Sequence, residues 1–276
     1  MPQPTIIIQA RMTSSRLPGK VLLPVLDKPL LAYQLERLQR VQSTQRIVVA
    51  CTNRNEDDPI VALCNEWNLP VFRGSETDVL NRYYEAAQEF EADPIIRITS
   101  DCPLIDPAVV DQVIGFYLAH AGQYDYVSNT LERSWPQGLD VEVFAFAALE
   151  DADANAERWE EREHVTPYIY WRPEEYRLAA VQAEENHAHY RWTVDTGEDY
   201  EFIAQVLETL YPQNPTFTTA DVMALLEANP DWLDINAQVH QRWIFKDSTS
   251  GQTGSDELNY EDLEDYQDLV GDVVED

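Results

Sequence analysis

The stretch Thr5-Ile-Ile-Ile-Gln-Ala-Arg-Met-Thr-Ser-Ser-Arg-Leu-Pro-Gly-Lys20 joins an apolar run to a basic loop, and this junction indicates the fold. Its three consecutive isoleucines predict a strand that is buried on both faces, as strands of parallel sheets are. The loop contains Arg11, Arg16 and Lys20, in a chain with three lysines and a formal net charge of -31. Two guanidinium groups and an ammonium suit a polyphosphate. Because open α/β sheets bind ligands beyond the carboxyl ends of their strands, we expect an anion site in this loop.

Apolar runs alternate with helical patterns along the first part of the chain. The predicted strands are residues 5–10, 46–51, 69–72 and 95–99, and the predicted helices are residues 29–40, 59–67 and 78–89. Asp58 and Asp106 each precede a proline and are predicted to cap a helix. This alternation predicts a mainly parallel sheet with helices on both faces, which is a three-layer α/β/α sandwich.

The middle of the chain, residues 123–190, is less regular. We predict strands at 139–144 and 177–181 and helices at 146–153 and 159–171, followed by a strand at 191–194 and a helix at 198–210. A last helix is predicted from a cap at Thr218-Thr219 to Ala228.

Residues 1–246 are predicted to form one domain. Residues 247–276 contain 11 acidic and no basic residues, and their composition predicts a flexible acidic tail. The alternative is a short amphipathic helix that docks on the core or on a protein partner.

Composition argues against several classes of protein. So acidic a chain is not expected to bind nucleic acid or anionic membranes. No apolar stretch approaches the roughly 20 residues of a membrane span, and no signal peptide is evident, so we expect a cytoplasmic protein. Cys51, Cys64 and Cys102 are expected to be buried thiols. The strong acidity with few lysines suggests a salt-adapted source.

The basic loop, written Arg-x-x-Ser-x-Arg-Leu-Pro-Gly-Lys, resembles the nucleotide-binding loop of sugar-acid cytidylyltransferases. These are the CMP-KDO and CMP-acylneuraminate synthetases, and the resemblance is strongest to the spore coat polysaccharide biosynthesis protein F family. Five further motifs resemble that family in the same order: FRGSETDVLNR (72–82), SDCPLID (100–106), GLDVEV (138–143), EREHVTP (161–167) and RWTVDT (191–196). The resemblance covers roughly residues 5–240. It implies a fold of the nucleotide-diphospho-sugar transferase type and a homodimer whose interface includes the middle segment.

The resemblance implies that the protein joins CMP from CTP to a sugar acid, releases pyrophosphate and uses Mg²⁺. Such a reaction depends on cations that neutralise phosphate charge and place the groups in line. By resemblance Lys20 lies nearest the reacting phosphates, and the catalytic residues are Arg11, Lys20 and Asp101. The implied nucleotide-binding residues are Arg11, Ser14, Ser15, Arg16, Lys20, Arg73, Ser75, Asp78 and Arg82.

Other roles remain open for several of these residues. Arg11, Arg16 or Lys20 can instead pair with a carboxylate. Asp78 can cap the helix that follows, and Arg82 can pair with Glu85 on that helix. The related KDO enzymes carry Ser-Gly-Thr-Asp-Arg where this chain has Gly-Ser-Glu-Thr-Asp-Val-Leu-Asn-Arg, so the contacts to the base stay open.

Two carboxylates are the implied metal ligands. Asp101 follows the strand predicted at 95–99 and Asp195 follows the one predicted at 191–194, which places both at one edge of the sheet. Two carboxylates and phosphate oxygens are a sufficient ligand set for Mg²⁺. The alternatives are a turn role for Asp101 and a helix cap for Asp195.

The candidates for the sugar side are Asn129, Asp140, Glu142 and His164. Asp140 and Glu142 are two residues apart on one predicted strand, so they share a face and suit a hydroxyl-rich substrate. Either can also assist deprotonation of the attacking hydroxyl. For His164 the alternative is a surface or structural role.

Two other functions compete with nucleotidyl transfer. Glycosyltransferases of the same fold class typically carry an Asp-x-Asp metal motif, whereas this chain has Asp-Cys-Pro-Leu-Ile-Asp at residues 101–106 together with the basic loop. A non-catalytic protein that binds a nucleotide or scaffolds partners through the acidic tail is the other alternative.

Overall fold

A computed structural model describes residues 3–239 of the protein. The predicted tail at 247–276 and the last part of the domain predicted over residues 1–246 lie outside these residues. The strands are β1 Gln3–Gln9, β2 Pro24–Val25, β3 Lys28–Pro29, β4 Ile47–Thr52, β5 Val71–Gly74, β6 Ala92–Thr99, β7 Tyr126–Ser128, β8 Glu142–Phe144 and β9 Leu178–Ala180. The helices are α1 Leu30–Leu38, α2 Asp58–Glu66, α3 Val79–Glu89, α4 Pro107–Ala119, α5 Phe146–Asn155, α6 Trp159–His164, α7 Pro167–Tyr170, α8 Gly197–Leu210 and α9 Thr219–Ala228.

Seven of the strands form one sheet in the order β5-β4-β1-β6-β8-β7-β9. The four strands from β5 to β6 are parallel, and β8 pairs antiparallel with both β6 and β7. β9 pairs parallel with β7 at the edge, and β2 and β3 form a separate antiparallel pair. The sheet is therefore parallel where the predicted strands alternate with helices and mixed where the chain is less regular.

The central strand β1 buries side chains on both of its faces, as its isoleucines predict. Ile6 and Ile8 pack in a cluster with residues of α1, α2 and α4. Ile7 packs on the opposite face with residues of α3, α5 and α7. All three isoleucines have no exposed surface. The helices thus cover both faces of the sheet, and the prediction of a three-layer α/β/α sandwich is confirmed.

A third apolar cluster joins α8 and α9 to the segment around Trp192. α9 begins after a capping box in which Thr218 accepts from the amide of Asp221, and it ends at Ala228 as predicted. Asp106 caps α4 by accepting from the amide of Ala108 at 2.9 Å, which confirms its predicted role. No helix within residues 3–239 has both the length and the hydropathy that a membrane span requires.

Three predicted elements of the irregular part differ in the structure. The strand predicted at 139–144 is shorter in the structure, where it is β8. The side chain of Asn129 donates to the carbonyl of Leu139 and accepts from the amide of Val141, so these two backbone groups do not pair with a neighbouring strand. The helix predicted at 159–171 is broken into α6 and α7 at Val165, whose φ is 76°. The segment predicted as a strand at 191–194 makes a single parallel bridge to Gln137 instead of a ladder.

Candidate functional site

The basic loop lies at the carboxyl end of β1, and hydrogen bonds from its backbone amides hold it there. Gly19 has a φ of 72°, and its amide donates to the carbonyl of Met12 at 2.9 Å. The amide of Met12 donates to Asp57 at 2.7 Å, and Asp57 also accepts from the amide and hydroxyl of Thr52. Asp57, rather than the predicted Asp58, precedes α2, and its side chain anchors the loop instead of capping the helix.

Lys20 is the centre of the site. Its Nζ donates to Asp101 at 3.2 Å, to Asp195 at 2.9 Å and to the carbonyl of Val194 at 2.6 Å. Burial by itself would lower the pKa of this ammonium, but the two carboxylates outweigh that effect and raise it. The loop after β1, the turn after β6 and the segment before α8 therefore meet at one charged group.

Asp101 is ionised at any ordinary pH. Burial by itself would raise its pKa, but the charge of Lys20 and a hydrogen bond from Thr99 at 2.5 Å outweigh that effect and hold the pKa at about 2. Its side chain is 24% exposed, so the carboxylate can still be reached.

Asp195 is held by a network of cations. Arg16 and Arg191 each contact it at 2.9 Å, and Arg191 also pairs with the fully buried Asp199. α8 is capped by Thr196 together with Asp199, so the alternative role of Asp195 as that cap is wrong.

The backbone next to Asp195 is fixed against the rest of the site. The amide of Val194 donates to the carbonyl of Asp101 at 2.8 Å, and the amide of Trp192 donates to the carbonyl of Gln137 at 2.7 Å. Gly138 has a φ of 101°, and a Cβ there would lie 2.7 Å from the backbone of Trp192. Only glycine permits this close approach, which brings the two aspartates to one place.

These two carboxylates fit a hard divalent cation. No group of three or more histidine, cysteine, aspartate or glutamate side chains converges within residues 3–239. Asp101 and Asp195 are nevertheless close enough to share one ammonium, and Mg²⁺ usually takes one or two carboxylates and completes its shell with phosphate oxygens and water.

Arg11 reaches from the basic loop to α6, where its Nη2 contacts Glu163 at 2.8 Å.

His164, which follows Glu163 in the chain, has a pKa lowered to about 4, because burial and the charges of Arg97 and Arg11 disfavour its protonated form. Val165 then forms a γ-turn of positive φ, in which the amide of Thr166 donates to the carbonyl of His164 at 3.0 Å. Such turns are rare and strained, and strained backbone concentrates at functional sites. Glu163 lies within a motif quoted above but was not predicted as a site residue.

The remaining loop serines differ in surroundings. Ser15 is exposed, whereas Ser14 is half-buried and its Oγ lies 3.5 Å from the amide of Leu17. Arg73, at the end of β5, pairs with Asp58 at 2.7 Å and donates to two backbone carbonyls.

The structure settles two of the open alternatives around α3. Asp78 caps α3 by accepting from the amide of Asn81 at 3.0 Å, and it also pairs with Arg162 of α6. Arg82 is 1% exposed and donates to the carbonyl of Ser75, so it does not depend on Glu85. Asp78 and Arg82 therefore both have structural contacts at the start of α3.

Three of the four sugar-side candidates, Asn129, Asp140 and Glu142, form hydrogen bonds or ion pairs with other groups of the protein. Asn129 is 1% exposed and holds the backbone next to β8. Glu142 pairs with Arg97 at 2.6 Å and is nearly buried. Asp140 pairs with Arg133 at 2.6 Å, but its side chain is 35% exposed. Of the two carboxylates, Asp140 is the accessible one.

Known proteins are similar to this chain over most of its length. The cytidylyltransferase family matches residues 5–227, which is more than half of the chain. The chain belongs to this family. A solved cytidylyltransferase structure from Leptospira borgpetersenii has a TM-score of 0.81 and 33% identity, and the match covers 88% of this chain and 100% of that one. The fold is therefore that of the nucleotide-diphospho-sugar transferases, as the resemblance implied.

Two further proteins are similar to this chain in sequence. The spore coat polysaccharide biosynthesis protein SpsF of Bacillus subtilis is 35% identical over 82% of this chain and 94% of its own length. The 8-amino-3,8-dideoxy-manno-octulosonate cytidylyltransferase of Shewanella baltica is 32% identical over 46% of this chain and 53% of its own length.

Proposed function

We propose that this protein transfers CMP from CTP to a sugar acid in the cytoplasm, with release of pyrophosphate, for the synthesis of a surface polysaccharide. Membership of the cytidylyltransferase family and the relatives that act in polysaccharide synthesis or on a sugar acid support this proposal. The observation that carries it is Lys20, whose ammonium lies between Asp101 and Asp195 at the carboxyl edge of the parallel strands.

The reaction is an in-line displacement at phosphorus. A hydroxyl oxygen of the acceptor forms a bond to the α-phosphorus, the bond from that phosphorus to the bridging oxygen breaks, and pyrophosphate leaves with the electron pair. Arg11, Arg16 and Lys20 bind the triphosphate and stabilise the charge that develops on its oxygens. Mg²⁺ held by Asp101 and Asp195 would supply further neutralisation of phosphate charge.

The acceptor lies on the side of α6 and β8 in this proposal. His164 is neutral above its pKa of about 4, so its ring nitrogens donate and accept hydrogen bonds without adding charge. Asp140, which is more accessible than Glu142 but pairs with Arg133, accepts the proton of the attacking hydroxyl in this proposal. We also propose that the protein forms a homodimer whose interface includes residues 123–190. The acidic residues 247–276 are the proposed contact for a protein partner.

Pyrophosphate release tests the proposed function. We would supply Mg²⁺, each of the four nucleoside triphosphates and a panel of sugar acids, and compare the protein with Asp101→Asn. Release with CTP and one sugar acid, lost in the variant, is the expected result. No release in any pairing, alongside clear binding of a nucleotide-sugar, would instead favour a glycosyltransferase.

A further inference from the structure

We propose that Glu163 competes with the nucleotide for Arg11, so that their ion pair opens when Arg11 binds a phosphate group. This inference rests on the proposed function, because it takes Arg11 as a ligand of the triphosphate. The pair joins two parts of the site, since Arg11 belongs to the basic loop after β1 and Glu163 belongs to α6. Their side-chain atoms Nη2 and Oε1 are 2.8 Å apart.

Glu163 differs from the carboxylates that pair with the other cations of the basic loop. Asp101 and Asp195 pair with Lys20, and they keep a use as metal ligands when the nucleotide is bound. Glu163 has Arg11 as its one hydrogen-bond partner among residues 3–239. Its carboxylate therefore stands in for a phosphate oxygen on this guanidinium, and the two anions cannot use the same donor at once.

The backbone around Glu163 is rigid, so the exchange moves Arg11. Arg162 ties α6 to Asp78 and to Asp153, and the γ-turn at Val165 fixes the other side. The side chain of Glu163 is 16% exposed, whereas that of Arg11 is 37% exposed. A long arginine side chain near the surface reorients more readily than a carboxylate on a fixed helix turn.

The exchange also links the two halves of the site. When Arg11 turns to the triphosphate, the oxygens of Glu163 lose their one hydrogen-bond donor among residues 3–239. They are then free to accept hydrogen bonds from the hydroxyl groups of a sugar. Nucleotide binding thus uncovers a group for the acceptor.

Titration calorimetry with CTP and Mg²⁺ tests this competition. We expect Glu163→Gln to bind CTP about two- to fivefold more tightly than the unaltered protein, the range that a partly exposed ion pair supports. Asp125→Asn is the matched control, because Asp125 pairs with Arg177, outside both the basic loop and α6, and loss of this pair should leave the affinity unchanged. Glu163→Ala is the second variant, and a thermal melt of each protein shows that it is folded.

A double-mutant cycle separates direct competition from a general change of charge. In an Arg11→Gln background, Glu163→Gln should no longer change the affinity for CTP. An unchanged or weaker affinity in Glu163→Gln, or an equal gain in both backgrounds, overturns the inference. Absence of CTP binding by the unaltered protein contradicts the proposed function itself, and the inference falls with it.

Discussion

At the residue scale, the site depends on a single ammonium shared by two carboxylates. Lys20 has three acceptors within 3.2 Å, and two of them remain if one aspartate is replaced. The amide of an asparagine at position 101 has the same shape but no charge to offer a metal. The consequences of that exchange for activity and for stability therefore separate.

Asp101→Asn should lower the rate of pyrophosphate release about 100-fold or more, the scale of losing a charge that stabilises the transition state. The melting temperature should change by only a few degrees, because Lys20 keeps Asp195 and the carbonyl of Val194. Steady-state rates and thermal melts measure the two effects. A variant that is fully active, or one that does not fold, would contradict this assignment.

The same variant should change how the free energy of unfolding depends on pH in acid. The pKa of Asp101 is depressed from 3.8 to about 2, so its contribution is present above pH 4 and is lost as the pH falls towards 2. We expect that loss to reach about 2 kcal/mol in the unaltered protein and to be smaller in Asp101→Asn. Urea unfolding at several pH values between 2 and 5 measures it.

His164 should act in a different pH window. Its pKa is lowered from 6.5 to about 4, so the unfolded chain binds a proton between these values and the folded protein does not. Stability is therefore complete above pH 6.5 and falls, by up to about 3 kcal/mol, as the pH drops towards 4. Replacing His164 by Gln should flatten this slope in urea unfolding. An equally steep slope in the variant would show that the histidine titrates normally.

At the element scale, the regular part of the fold follows from local sequence. Buried β1 and the last helix, with its cap at Thr218, depend on hydrophobic periodicity and on capping residues that are near neighbours in the chain. The irregular part does not, because long-range contacts decide it. Asn129 shortens β8 from outside that strand, and the bonds of Trp192 and Val194 go to Gln137 and Asp101 rather than to a ladder.

The same reason limits what the sequence says about the site. The predicted strands place the basic loop, Asp101 and Asp195 beyond strand ends, and the structure brings Lys20 together with both aspartates. Nothing in the sequence near Asn129 shows that its side-chain amide forms hydrogen bonds with backbone groups. Nothing near Glu163 shows that its carboxylate contacts Arg11. Those partners come from contacts across the fold.

The contact at Gly138 gives a test at this scale. Gly138→Ala should destabilise the protein by about 2–4 kcal/mol, because a Cβ there meets the backbone of Trp192 and the positive φ is strained. It should also lower activity by displacing the segment that carries Asp195. Chemical denaturation and pyrophosphate release measure the two losses.

Gly115 is the matched control within α4. A Cβ at this position meets no atom within 4 Å, and the residue is exposed in mid-helix. Gly115→Ala should therefore stabilise the protein by about 0.5–1 kcal/mol. Equal effects at the two glycines would show that the close approach at Gly138 carries no cost.

At the scale of the whole molecule, the dominant property is negative charge. The chain carries a formal -31, and residues 247–276 contribute 11 of its acidic groups. Self-repulsion of this size destabilises the compact state, and salt screens it. We expect the melting temperature to rise from dilute buffer to molar KCl, and to rise less when residues 247–276 are removed. A protein no more stable in molar KCl would contradict the suggestion of a salt-adapted source.

The ion pair between Lys20 and Asp195 joins residues 175 positions apart in the sequence. On the ribosome, the four parallel strands leave the exit tunnel long before Asp195 is made, and early segments begin to fold first. A nascent chain that stops between Ala180 and Asp195 carries the whole seven-stranded sheet and the basic loop, yet it has only one of the two aspartates. The proposed site is therefore complete only once translation has passed Asp195, and products truncated before that residue should release no pyrophosphate.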